Sequence, residues 1–129
     1  TSLGNEIQYL KNYIDLESLR ISTPDNIIFE DNTENRNLEI APMILIPFVE
    51  NAFKHGNLKD FPLKISIGIN GNQLLFHQKN KISKSRKDNS SGIGIENVKK
   101  RLSIIYSEKH TLEILNNEEF YEVNLKIDL

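Results

Sequence analysis

At 129 residues, with 38% hydrophobic and 26% charged side chains, the chain is one domain large enough to bury a core. Its formal net charge of −2 excludes a strongly basic nucleic-acid binder, and the absence of cysteine excludes disulfides, thiol nucleophiles and thiolate metal sites. No apolar run approaches a membrane span and no signal-peptide pattern opens the sequence, which starts at Thr1 inside a helical pattern, as a piece of a longer protein would.

Leu3 to Ile21 is predicted as a helix, with Leu3, Ile7, Leu10 and Ile14 at three/four spacing and Leu16 and Leu19 widening the stripe. Ser2, with an acid four residues on, is a loose start signal, and Thr23-Pro24 is the expected stop. Ile27 to Asp31 is a short strand and Asn32 to Asn37 its turn. Leu38 to Ala41 leads into the most informative stretch, PMILIPFVENAFKHG, Pro42 to Gly56.

This stretch is predicted as a helix opened by Pro42 and closed by Gly56. At 100° per residue Leu45, Ile46, Val49, Ala52 and Phe53 share a face that packs on a sheet. Asn51, Lys54 and His55 fall on the opposite side, and Glu50 lies at its edge, one turn before Lys54. The amide of Asn51 suits a hard cation such as Mg²⁺ shared with phosphates, and Lys54 is a point charge for phosphate. His55 can donate a hydrogen bond or carry charge. The plainer reading is a solvated helix face.

Lys64 to Asn70 alternates, with Ile65, Ile67 and Ile69 on one face; Asn70-Gly71 is a tight-turn signal, and Gln73 to Asn80 returns as a second strand. Lys81 to Ser91 has no periodicity and reads as a mobile loop. Its basic run, Lys79 to Lys87, carries five cations and no aromatic residue, so neither bulk charge nor stacking supports a nucleic-acid partner. Gly92 and Gly94 stand at the entrance of a helix from Ile93 to Tyr106, where backbone N–H groups can approach an anion. Ile95, Val98, Leu102 and Ile105 are expected inward. Thr111 to Leu115 and Tyr121 to Leu129 form a last hairpin across Asn116 to Glu119. The sum is a two-layer α/β sandwich, a mixed and mainly antiparallel sheet with helices on one face.

Two of these stretches carry a resemblance. IAPMILIPFVENAFKHG is similar to the N box of the histidine-kinase-type ATPase (GHKL, or Bergerat) fold, in the version of the LytS-like sensor kinases; GIGIENVKKRLSIIY resembles the same family's G2 box and its helix. The resemblance covers essentially the whole chain. It implies that residues 1–22 link to phosphoacceptor helices absent from this chain and that residues 23–129 are the ATPase domain. It places Asn51 at the Mg²⁺-binding asparagine, Lys54 and His55 at the basic positions that follow, and Gly92 and Gly94 against the phosphates of ATP. Glu50 and His55 become catalytic candidates, Glu50 by polarising an attacking imidazole or only by pairing with Lys54.

The pattern breaks at the adenine end. Where the family has an Asp-x-Gly-x-Gly box, the strand here ends QKNKISKS; Asn80 stands at the Asp position and no glycine follows until Gly92. An asparagine oxygen still accepts from an amino group, more weakly for lacking charge. Ile82 sits where backbone usually approaches the base. Of the three histidines, His55 belongs to the N box, and His77 and His110 are read as incidental surface residues. None lies in a phosphoacceptor-like helix, so this chain alone is not expected to phosphorylate itself. The expectation is the Mg-ATP-binding catalytic domain of a sensor histidine kinase. Its partners would be its own upstream phosphoacceptor helices, a response regulator and a second copy in the full-length protein, and its place the cytoplasmic side of a membrane sensor. The alternatives are a degenerate docking module of the same fold that no longer binds ATP, and a stand-alone kinase related to anti-sigma factors.

Overall fold

The computed structural model describes residues 1–22, 24–84 and 93–129. Among these, three helices and six strands follow one another: α1 (Leu3–Ser18), β1 (Ile27–Asn32), α2 (Ile46–His55), β2 (Gly56–Asn57), β3 (Leu63–Asn70), β4 (Gln73–Ile82), α3 (Ile93–Ile105), β5 (His110–Asn116) and β6 (Phe120–Asp128). The sheet order is β1-β3-β4-β6-β5, with the short β2 paired to the end of β4. Only β1 and β3 run parallel; β3–β4 and β5–β6 are antiparallel hairpins, and β2–β4 and β4–β6 are antiparallel pairs between strands that are not adjacent in sequence. A parallel pair needs a long crossover, and α2 supplies it. The mixed, mainly antiparallel sheet expected from the sequence is therefore present.

Alternation decides the two faces. Leu63, Ile65 and Ile67 on β3, Leu74 and Phe76 on β4 and Val123 on β6 are buried, while the residues between them are half-buried or exposed. α2 lies against this apolar face, where Phe48 meets Phe76 with ring centroids 5.8 Å apart. On its other flank Phe53 meets Tyr13 of α1 edge-on at 6.0 Å. Burying each such side chain is worth about 1.5–3 kcal/mol, so the seam between β4, α2 and α1 is the stable centre.

The helix ends differ from the sequence reading. α1 stops at Ser18 rather than Ile21, because the Ser18 hydroxyl donates back to the Ile14 carbonyl at 2.6 Å and the next amides make tighter i−3 bonds. Leu16 and Leu19 are consequently exposed instead of widening the buried stripe. α2 begins at Ile46, not Pro42, with Pro47 in its first turn. Residues 42–45 form a turn in which Met43 has φ 62°. At the end of α3, Ile105 is exposed and Tyr106, just past the helix, is buried in its place, its hydroxyl accepting from the Ala41 amide at 2.9 Å.

Candidate functional site

Of the site residues read from the sequence, Glu50, Asn51, Lys54 and His55 lie on the C-terminal half of α2, Asn80 near the end of β4 and Gly94 at the start of α3. α2 is held from three sides. The buried carboxylate of Glu6 accepts from the amides of Met43 and Ile44, both at 3.2 Å, and fixes the turn that aims the helix. Arg101 of α3 donates to the carbonyls of Pro42 at 2.6 Å and Met43 at 3.1 Å. Gln78 of β4, fully buried, donates its amide to the Phe48 carbonyl at 2.8 Å. Sequence reasoning passed over all three. A charge at a core position of the α1 stripe was the only signal for Glu6, and an inward-facing polar residue in an alternating strand the only one for Gln78.

On α2 itself Asn51 and His55 are half-buried, and Glu50 and Lys54 are exposed. Among the described residues Glu50 has no ion pair, so the alternative in which it only pairs with Lys54 finds no support there. Glu50 faces α1 closely enough to act on Tyr13. The Tyr13 phenol is pushed up to about 12 by burial, then by the carboxylates of Glu17 and Glu50, with Arg20 opposing.

Asn80 is 1% exposed, on the face of β4 that looks toward the helices. Its amide nitrogen donates to the Lys81 carbonyl at 3.1 Å, and its oxygen has no partner among the described residues. The Gln78 oxygen, two residues earlier on the same face, is in the same condition. A buried carbonyl oxygen left without a donor costs about 1–3 kcal/mol, so both are places where a ligand or water can add stability. Asn80 packs behind Gly56: a Cβ there would lie 3.2 Å from the Asn80 amide nitrogen and 2.3 Å from the Ala52 carbonyl oxygen. Gly56 thus ends α2 by extended backbone, φ −84° and ψ 148°, and its glycine is required by close approach, not by a left-handed cap.

Beyond Asn80, Ile82 pairs with Gly56 in the β2–β4 ladder, and the Ser83 amide donates to the His55 carbonyl at 2.8 Å. The end of β4 is thereby stitched to the end of α2. A cleft of about 750 Å³ opens beside this stitch on the Phe53 side, between Arg20, Ile21 and Ser22 and the Gly56–Ile82 rim. Neither Asn51 nor Asn80 lines it.

Gly92 and the basic residues Arg86 and Lys87 lie outside the described residues. Gly94 is exposed in the first turn of α3, and a Cβ there would meet nothing within 4 Å. Glycine in a helix costs about 0.5–1 kcal/mol relative to alanine, and the fold around Gly94 gives no steric reason for it. The remaining two histidines bond within the sheet and its edge. His77 sits 2.6 Å from Glu122 on the outer face, and the Nδ1 of His110 lies 2.8 Å from the Tyr106 carbonyl. Among the described residues no group of three His, Asp or Glu side chains could hold a metal, and no helix is long and apolar enough to cross a membrane.

No family model matches the chain. It is 27% identical to the sensor protein LytS of Staphylococcus saprophyticus over 98% of its own length, which is 24% of that protein. A shorter stretch, 42% of the chain and 10% of the relative, is 33% identical to the sensor protein kinase HptS of Staphylococcus aureus. The chain spans about a quarter of LytS and less of HptS. Among solved structures it superposes on the catalytic domain of histidine kinase ThkA with a TM-score of 0.62, at 18% identity, covering 99% of this chain and 94% of that one. The histidine kinase domain of the blue-light activated kinase of Erythrobacter litoralis EL346 gives 0.61 at 14% identity, covering 100% of this chain and 62% of that one.

Proposed function

Starting from a LytS homologue with the fold of histidine-kinase catalytic domains, we propose that this chain is the ATP-binding catalytic domain of a two-component sensor histidine kinase. The observation that supports it most is the Asn80 carboxamide. Its nitrogen is engaged by Lys81, so its unpartnered oxygen is a fixed acceptor for an exocyclic amino group such as that of adenine. Flipping the amide would set oxygen against the Lys81 carbonyl, which fixes the assignment.

In this reading the chain's residues would meet the nucleotide at both ends. Asn51 would supply an oxygen to Mg²⁺, which keeps most of its shell as water and phosphate and needs no carboxylate cage. Lys54 and His55 would face the phosphates. Gly94, with open space where a Cβ would stand, would let the start of α3 approach them with its N–H groups, together with Gly92. Mg-ATP supplies the transferable γ-phosphoryl; this chain's part is to hold its charge in line, the dominant contribution in phosphoryl transfer. Glu50, exposed on the α1 side of α2, would orient or deprotonate an imidazole arriving from upstream helices. The receiving histidine lies beyond this chain, whose own three histidines sit on α2, β4 and β5. A response regulator, a dimer of the full-length protein and a cytoplasmic position below a membrane sensor complete the reading.

A second reading has an observation in its favour. Ile82 pairs with Gly56 where the family's glycines would leave room for a base, so a docking module that has lost ATP is a coherent rival. Melting in the presence of Mg-ATP separates them. The kinase reading expects a rise of several degrees at millimolar nucleotide, and a smaller rise for Asn51→Ala. No shift at millimolar Mg-ATP, or an unchanged affinity in Asn51→Ala, sinks it.

A further inference from the structure

Residues 41–44 lead into α2, and side chains from two other helices hold their main chain. The Tyr106 hydroxyl, just past α3, accepts from the Ala41 amide at 2.9 Å. Arg101 of α3 donates to the carbonyls of Pro42 at 2.6 Å and Met43 at 3.1 Å. Glu6 of α1, 4% exposed, accepts from the amides of Met43 and Ile44, both at 3.2 Å. Both main-chain polar groups of Met43 are therefore engaged, its N–H by α1 and its C=O by α3. Met43 also has φ 62°, a left-handed conformation that a residue with a side chain keeps only when its surroundings enforce it. Its side chain is exposed, so the enforcement comes from the bonds to its backbone and not from a packed core. The start of α1 is tied to the residues just before this turn, with the Leu3 amide donating to the Leu38 carbonyl at 2.7 Å and the Ile40 amide to the Thr1 carbonyl at 2.8 Å. The turn lies between α1 and α3 and takes its shape from both.

We propose that Arg101 is a positioning residue of the nucleotide site, and that with Glu6 it makes nucleotide affinity depend on how α1 is seated. This rests on the nucleotide reading given above, in which Asn51 meets the metal and the start of α3, at Gly94, meets the phosphates. Those groups stand on separate helices, α2 and α3. Arg101, in the C-terminal half of α3, is a direct tie from that helix to the turn that aims α2. It sets the spacing across which a metal-bound triphosphate would be held. Its guanidinium is engaged by main-chain carbonyls about two helical turns beyond Gly94, so it acts through geometry and not through charge at the phosphates. When the clamp opens, Met43 is free to leave φ 62° and α2 loses its fixed start. Binding then carries the cost of re-forming the turn, and the apparent affinity falls with the fraction of chains that hold it. Linkage makes the effect mutual: bound nucleotide must tighten the turn.

The test uses the 129-residue chain and three variants, titrated with Mg-ATP. Arg101→Met keeps a long side chain and removes the donors. Arg101→Lys keeps the charge but lacks the planar fork that reaches two carbonyls. Arg101→Met combined with Met43→Gly gives the turn a residue that takes a positive φ without strain. Arg101→Met should bind Mg-ATP about tenfold more weakly, Arg101→Lys should stay several-fold weak, and adding Met43→Gly should recover affinity toward that of the unaltered chain. In the unaltered chain, Mg-ATP should slow amide exchange at Ile44 several-fold, a measurement that decides even where Arg101→Met does not fold. Affinity in Arg101→Met within twofold of the unaltered chain, full recovery in Arg101→Lys, no recovery with Met43→Gly, or Ile44 exchange indifferent to Mg-ATP would each overturn the positioning role while leaving nucleotide binding standing. An unaltered chain that does not bind Mg-ATP overturns the nucleotide reading, and this inference with it.

Discussion

Gln78 and Phe48 are joined by a 2.8 Å hydrogen bond inside the seam between sheet and helix, from a side-chain amide to a main-chain carbonyl. The Phe48 carbonyl sits one turn before Ala52, and the bond ties α2 to β4, the strand that carries Asn80. Its energetics are double-edged, because the Gln78 oxygen is buried without a partner among the described residues. Gln78→Met keeps the volume and removes both the bond and the orphan oxygen, so stability should change by less than about 1.5 kcal/mol. Gln78→Glu sets a buried carboxylate against the Phe48 carbonyl and should cost about 3 kcal/mol or more at neutral pH. Urea denaturation of the two variants decides the matter; equal losses would show that the amide bond itself is the dominant contribution.

Gly56 is expected to tolerate no side chain. Its φ of −84° suits any residue, so the constraint is purely steric, a Cβ 2.3 Å from the Ala52 carbonyl oxygen. That oxygen accepts from the Gly56 amide and cannot simply move away. Gly56→Ala should destabilise the chain by about 2–3 kcal/mol and loosen the pairing of Gly56 with Ile82. Amide exchange at Ile82 and Ser83 should quicken; unchanged protection there would refute the steric account.

Glu6 holds the turn that starts α2. Glu6→Ala leaves the Met43 and Ile44 amides without their acceptor in a buried place, at a cost of about 2–4 kcal/mol. Glu6→Gln keeps one acceptor oxygen and should recover part of that loss. Thermal melting of both variants tests the ordering, and a Gln variant no better than the Ala variant would contradict it.

Tyr13 gives a pH signature. Burial, then Glu17 and Glu50, raise its phenol from 10 to about 12 in the folded chain. Below pH 10 both states keep the proton and the stabilisation is complete. Between 10 and 12 the unfolded chain releases it first, so folding is progressively disfavoured. Tyr13→Phe should flatten the stability loss over this range while retaining most of the Phe53 contact. Urea midpoints at pH 9 and pH 11 that fall equally in both proteins would exclude Tyr13 as a contributor.

Much of the fold was legible in the residues because it is local. Alternation in β3 named its buried face, and Asn70-Gly71 placed the hairpin, with Gly71 at φ 64°. The three/four spacing of Leu3, Ile7, Leu10 and Ile14 named the core side of α1. The N-box-like stretch does form a helix, Ile46–His55, with Ile46, Val49 and Ala52 buried as their 100° spacing predicts.

What the sequence by itself determined is therefore the periodic part: which segments are helix or strand and which face most of them bury. Tertiary structure decided the rest. It moved the start of α2 to Ile46 because Glu6, some forty residues away, takes the Met43 and Ile44 amides. It turned Gly56 from a helix stop into a packing necessity, left the Asn80 oxygen without a partner among the described residues, and set Tyr121 opposite Asn80 in the β4–β6 ladder. Side-chain periodicity is fixed by the geometry of neighbouring residues along the chain, whereas register across strands and the fate of a buried polar atom depend on groups distant in sequence.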